Sequence, residues 1–129
     1  MLYVDSSAMA KLVIDEDETR ALRAFFEASA EPLATSAVSR VEAGPAAAFR
    51  GAEAARQADI VLERFFIIVL SDQVVREAVT LKPSALRTLD AIHVASALVP
   101  GLECAGLVTY DLRMQAAARL AGLHVVAPA

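Results

Sequence analysis

Four short stretches, LYVD (2–5), FIIVL (66–70), GLVTY (106–110) and LHVV (123–126), are apolar throughout rather than at every second position. A strand that alternates has one wet face, whereas a strand that does not is covered on both. These runs therefore predict a sheet sandwiched between two other layers. PLAT (32–35) is a weaker fifth candidate. Between the runs lie apolar stripes at helical spacing: Leu22, Phe25, Phe26 and Ser29; Ala54, Ala58, Val61, Leu62 and Phe65; Val74, Val75, Ala78 and Val79; Met114, Ala117, Ala118 and Ala121. Such stripes face a core. Strands alternating with helices predict an α/β domain, three-layer α/β/α, with a mainly parallel sheet of about five strands. Gly122 is placed to end the last helix. No repeat or linker interrupts the chain, so residues 1–129 are expected to form one domain.

Composition narrows the function classes. At 57% hydrophobic and a mean hydropathy of +0.49, the chain can bury a sizeable core. No apolar run is long enough to span a bilayer. The N-terminus carries an acid at its fifth residue and no basic segment, unlike a secretory signal. One cysteine, Cys104, excludes an internal disulfide and is expected to be a small core residue. A cytoplasmic protein is the expectation. The net charge of -4 and pI of about 5.1 exclude a protein that coats nucleic acid through its own basic charge. They leave open an enzyme that meets nucleic acid through bound cations, which reverse the local field.

Four acids stand where surface acids do not. Asp5 follows the first strand-like run and Asp111 follows GLVTY. In a parallel sheet both strand ends open on the edge where α/β ligand sites lie. Each is equally suited to capping the next helix. Glu42 lies among Val38, Val41, Pro45 and Phe49, and is expected to aim into a cleft. Asp90 stacks with Leu86, His93 and Ala97 along one side of a helix that Ser84 or Thr88 would cap. A lone buried acid is often a structural hydrogen-bonder. Four together would raise each other's pKa, a penalty that a divalent cation removes. An oxygen-only donor set suits Mg²⁺ or Mn²⁺ rather than zinc. Such an ion supplies hydroxide and stabilises a phosphate in flight.

The neighbouring groups carry less. Ser6 and Thr109 could ligate, orient a carboxylate or bond the backbone. His93, one turn after Asp90, is expected to pack within its helix, and His124 is read as structural. Arg40, Arg87 and Arg113 each adjoin a candidate acid and could grip phosphate, although solvated surface is the simpler role. The acidic run DEDE (15–18) is read as a solvated turn at a helix N-terminus.

LYVDSSAMAKL, SAVSRVE, LRTLDAIHVASAL and LVTYDLRM, in that order and with GLHVVAP closing the chain, resemble the PIN-domain ribonucleases, and among them the VapC toxins of toxin–antitoxin pairs. The resemblance spans essentially the whole chain. It implies site acids at Asp5, Glu42, Asp90 and Asp111, with supporting hydroxyls at Ser6 and Thr109. It also implies Mg²⁺- or Mn²⁺-dependent cleavage of RNA, a homodimer, and inhibition by a cognate VapB-like antitoxin. Gly44-Pro45, directly after Glu42, departs from the pattern and is expected to kink or break a helix there. The alternative is a phosphoryl-transfer or phosphatase-like α/β domain with Asp5 as covalent acceptor. A third possibility is a binding module in which the acids are only helix caps.

Overall fold

The computed structural model describes residues 1–129. Strands and helices alternate as β1 (Leu2–Val4), α1 (Ser6–Val13), α2 (Thr19–Ala28), β2 (Leu33–Ser36), α3 (Val38–Phe49), α4 (Ala52–Leu62), β3 (Phe65–Ile68), α5 (Asp72–Thr80), α6 (Thr88–Ala97), β4 (Gly106–Val108), α7 (Leu112–Leu120) and β5 (Val125–Val126). The five strands form one sheet in the order β3-β2-β1-β4-β5, and every pairing is parallel. All five strand-like runs, including the weak one, are strands.

The alternation of β1 divides the core in two. Leu2 and Val4 point to one face and pack with Met9, Leu22, Leu62 and Phe65. Tyr3 points to the other and packs with Val94, Leu107, Met114 and Ala118. A sheet covered on both faces needs apolar residues at consecutive positions, which is why its strands read as runs. Gly122 ends α7 with φ +84°, while Leu123 N–H donates to Ala118 O at 2.9 Å and Gly122 N–H to Arg119 O at 3.0 Å. This is the left-handed termination that glycine permits without a Cβ penalty. No helix is long and apolar enough to cross a membrane.

Strand order places the site. The chain runs from β1 to β2 and β3 on one side, then returns to add β4 and β5 on the other. The direction of winding changes between β1 and β4, where open α/β sheets leave a crevice at the strand C-termini. Val4 is in register with Val108, so Asp5 and Thr109 leave the sheet side by side.

Several local expectations are corrected. The apolar stripe of α3 points away from the core: Phe49 is 94% exposed and Val41 and Pro45 are exposed too. Its inward side is Ser39, Glu42, Ala43 and Ala47. Small side chains let α3 approach α1 closely, so size rather than hydropathy selects the packed face. Helix α3 also runs through Gly44-Pro45 to Phe49. The missing Pro45 N–H leaves the carbonyl of Val41 without its usual donor, and on this exposed side water can supply one. In α5 only Val74 of the valine pairs is buried; Val75 and Val79 face solvent. Helix α6 is capped by neither Ser84 nor Thr88; it starts after Arg87, which makes no side-chain cap. His124 is exposed just before β5, where its carbonyl accepts from Leu107 N–H. Asp15, Glu16 and Asp17 form an exposed turn, which Lys11 crosses to reach Glu16 and Glu18 at 2.7 and 2.6 Å.

Candidate active site

Asp5 does both things the sequence allowed. It caps α1, accepting the Ala8 N–H at 2.9 Å, and it sits at the β1–β4 crevice, only 1% exposed. Ser7 Oγ donates to both of its oxygens at 2.8 and 2.9 Å, and Thr109 Oγ1 donates to Oδ2 at 2.7 Å. Thr109 and Ser7 in turn accept the backbone N–H groups of Asp111 and Tyr110, stitching the two strand ends together. The hydroxyls serving Asp5 are therefore Ser7 and Thr109, while Ser6 bonds a different candidate acid, Glu42.

Asp111 likewise caps a helix, α7, accepting Arg113 and Met114 N–H groups on Oδ1 at 2.8 and 3.1 Å. Asp90 lies buried in the first turn of α6. The premise that these two acids repel each other is corrected by Arg87. Its Nε donates to Asp90 Oδ2 at 2.8 Å and its Nη2 to Asp111 Oδ2 at 2.9 Å. One planar guanidinium thus bridges two carboxylates and offsets part of their negative charge.

Glu42 faces inward from α3 toward Ser6 and His93. Ser6 Oγ and His93 Nε2 both donate to Glu42 Oε2, the latter at 2.8 Å. His93 is 1% exposed and does not bond within its own helix, as the sequence suggested; its Nδ1 meets Tyr3 Oη at 2.7 Å. Burial drives the Tyr3 phenol far above its usual pKa, so it stays protonated and can donate to Nδ1. That fixes the proton of a neutral His93 on Nε2, aimed at Glu42. A line of partners therefore runs from the buried sheet to the carboxylate. Tyr3, Ser7, His93 and Arg87 are the participants that sequence reasoning missed or undervalued. The spacing of His93 from Asp90, one helical turn on a shared side, was the available signal.

The acids differ electrostatically. Burial raises the Asp5 pKa, only partly opposed by the bonds from Ala8, Thr109 and Ser7. Burial also acts to raise Glu42, but bonds from His93 and Ser6 outweigh it and hold the carboxyl below its usual value. A buried acid with a raised pKa favours folding when protonated, so its contribution is lost as pH rises through the folded pKa. Asp5→Asn, which cannot ionise, should therefore gain on wild type as pH rises from 4 to 7 in EDTA. Glu42 has the opposite pH dependence but is common to both proteins and cancels. Thermal melts across this range check the difference; a gap independent of pH would show that Asp5 ionisation costs the fold nothing.

All six predicted side chains thus gather at the C-terminal edge of the sheet. No three acids or histidines converge closely enough to hold an ion in this arrangement. The donors are nonetheless hard oxygens, and a cation, the Arg87 guanidinium, already bridges two of them. In donor type the residues fit a divalent ion such as Mg²⁺ or Mn²⁺. They do not fit a phospho-acceptor. Such an acceptor would need a cation for the phosphate, and the neighbouring Lys11 is occupied by Glu16 and Glu18.

A model of the PIN domain matches residues 2–120. The chain belongs to the PIN domain family. The similarity extends over its whole length: Ribonuclease VapC46 of Mycobacterium tuberculosis is 38% identical over 127 residues, covering 98% of this chain and 97% of that one. Among solved structures, the toxin–antitoxin complex from Klebsiella pneumoniae matches with a TM-score of 0.78 at 22% identity, covering 100% of this chain and 98% of that one. VapC20 of Mycobacterium tuberculosis, described as a sarcin–ricin loop cleaving toxin, matches with a TM-score of 0.78 at 18% identity, covering 99% and 100%. These structures share the PIN fold, and the crevice described above lies where that fold gathers its strand ends.

Proposed function

We infer that this PIN domain is a metal-dependent endoribonuclease, the toxin of a type II toxin–antitoxin pair acting in the cytoplasm. The observation that carries the reading is the set of four carboxylates, with no basic or thiol ligand among them, gathered at one sheet edge of a chain whose full-length relatives are named ribonucleases. Asp5, Asp90 and Asp111 would hold Mg²⁺ or Mn²⁺, and Glu42 would complete the site or position water. When bound, the ion supplies hydroxide near neutral pH and neutralises charge on the phosphate.

The chain's own residues prepare the attack. Glu42 is held ionised by His93 and Ser6 on Oε2, while Oε1 has no protein donor and is free to accept a proton from water. Thr109 and Ser7 fix the Asp5 carboxylate against the sheet. Incubation with total RNA tests the reading. Mn²⁺ or Mg²⁺ should give discrete cut ends and EDTA should abolish them. Equal cleavage in EDTA would remove the metal from the mechanism.

The partners follow from the surface. A groove of about 260 Å³ lies between α1, α2 and α4, lined by Leu12, Phe26, Ile60 and Val61 with Arg23 and Arg64 at its margin. It suits an amphipathic segment of a VapB-like antitoxin. The acids offer a target for a basic side chain inserted by that inhibitor. A second groove, of about 460 Å³, runs between α5 and α6 past Val75, Val79 and Ile92, and would serve a homodimer.

A further inference from the structure

Arg87 is the one cation inside the acid cluster. It lies just ahead of α6, and its side chain is 56% exposed, so it can leave without disturbing the core. It donates to Oδ2 of Asp90 and to Oδ2 of Asp111, oxygens that a divalent ion would use. The two carboxylates come from separate helices, so the guanidinium spans the place where an ion would bridge them. Asp90 is buried and accepts a hydrogen bond from no other group, so the guanidinium is the counter-charge of the metal-free site.

We propose that Arg87 is a built-in counter-ion that competes with the divalent cation for Asp90 and Asp111, holding the empty site together and being displaced when the ion enters. This rests on the metal-dependent reading above. An ion that used the Oδ2 atoms of Asp90 and Asp111 would compete with the arginine for them. The arrangement weakens metal affinity and stabilises the metal-free protein.

Charge alone could mimic this effect, because removing any nearby positive group tightens cation binding. Arg113 supplies the control. It adjoins Asp111, and its side chain donates to no acid; only its backbone N–H does. Calorimetric titration with Mn²⁺ of wild type, Arg87→Gln, Arg87→Lys and Arg113→Gln separates the two. Arg87→Gln should bind about three- to tenfold more tightly than wild type. Arg87→Lys, which keeps the charge but loses the fork, should fall between them. Arg113→Gln should change affinity less than about twofold. In EDTA, Arg87→Gln should melt below wild type, and its metal-induced rise in melting temperature should be the larger. The Arg87 Nε–H resonance should move on addition of diamagnetic Mg²⁺. Affinity unchanged or weakened in Arg87→Gln, or tightened equally in Arg113→Gln, overturns the competition. Wild type that binds no ion while Arg87→Gln does would support it most directly. Failure of every variant to bind would overturn the metal reading and the proposal together.

Discussion

Asp5→Asn and Asp90→Asn are each expected to lower RNA cleavage by more than the roughly 10–100-fold that loss of a supporting group costs a metal site, with the circular dichroism spectrum unchanged. Asparagine is as good a helix cap as aspartate, so the Asp5 bond to Ala8 N–H survives in the variant. What it lacks is the charge and one acceptor oxygen, because its amide NH2 must stand where Oδ2 accepts from Ser7 and Thr109. Asp90→Asn loses an ion pair whose arginine is more than half exposed, a contribution of about 0–1 kcal/mol. Both changes keep the side-chain volume, so activity lost while the spectrum and the melting temperature are retained reports on chemistry. Full metal-dependent activity in either variant would strike that residue from the site.

His93→Ala is expected to damage both stability and catalysis. Removing the ring leaves the buried Tyr3 hydroxyl unpaired, at a cost of about 1–3 kcal/mol, and opens a void beside it. Glu42 loses one of its two donors, and activity should fall about 10–100-fold. Two further variants separate the effects. Tyr3→Phe removes the group that fixes the His93 proton and leaves Glu42 its partner, so it should weaken the fold with a smaller loss of rate. His93→Gln, which can still donate to Glu42, should recover rate better than it recovers stability. If His93→Ala melts lower but cleaves RNA as wild type does, the histidine only fills space.

The parallel sheet was legible because it is buried on both faces, and five apolar runs cannot all be explained otherwise. The four acids were legible because each sat at a strand end or amid apolar neighbours. Their partners were not. Nothing in the sequence near Asp90 shows that Arg87 reaches across to Asp111, because that contact depends on how α6 and α7 meet. Nor could Tyr3 be told from any other buried aromatic until the fold brought it to a histidine ninety residues away. In α3 the hydropathy stripe misled for a definable reason. The helix packs through Ser39, Ala43 and Ala47, whose small size carries no weight on an apolarity scale. Glu42 faces the site as expected, but because it lies on that small-residue side and not because of the valines around it.

The order of strands also governs when the crevice can form during synthesis. β1 is made first and lies at the middle of the sheet, yet one of its two neighbours, β4, is among the last segments made. Asp5 and Thr109, which share a hydrogen bond, are 104 residues apart in the chain. A growing chain can therefore pair β1 with β2 and β3 while still attached to the ribosome, but it cannot close the crevice. Contacts this distant in sequence also form late and slowly. A product that ended before β4 would lack Thr109 and Asp111, and with them one side of the crevice.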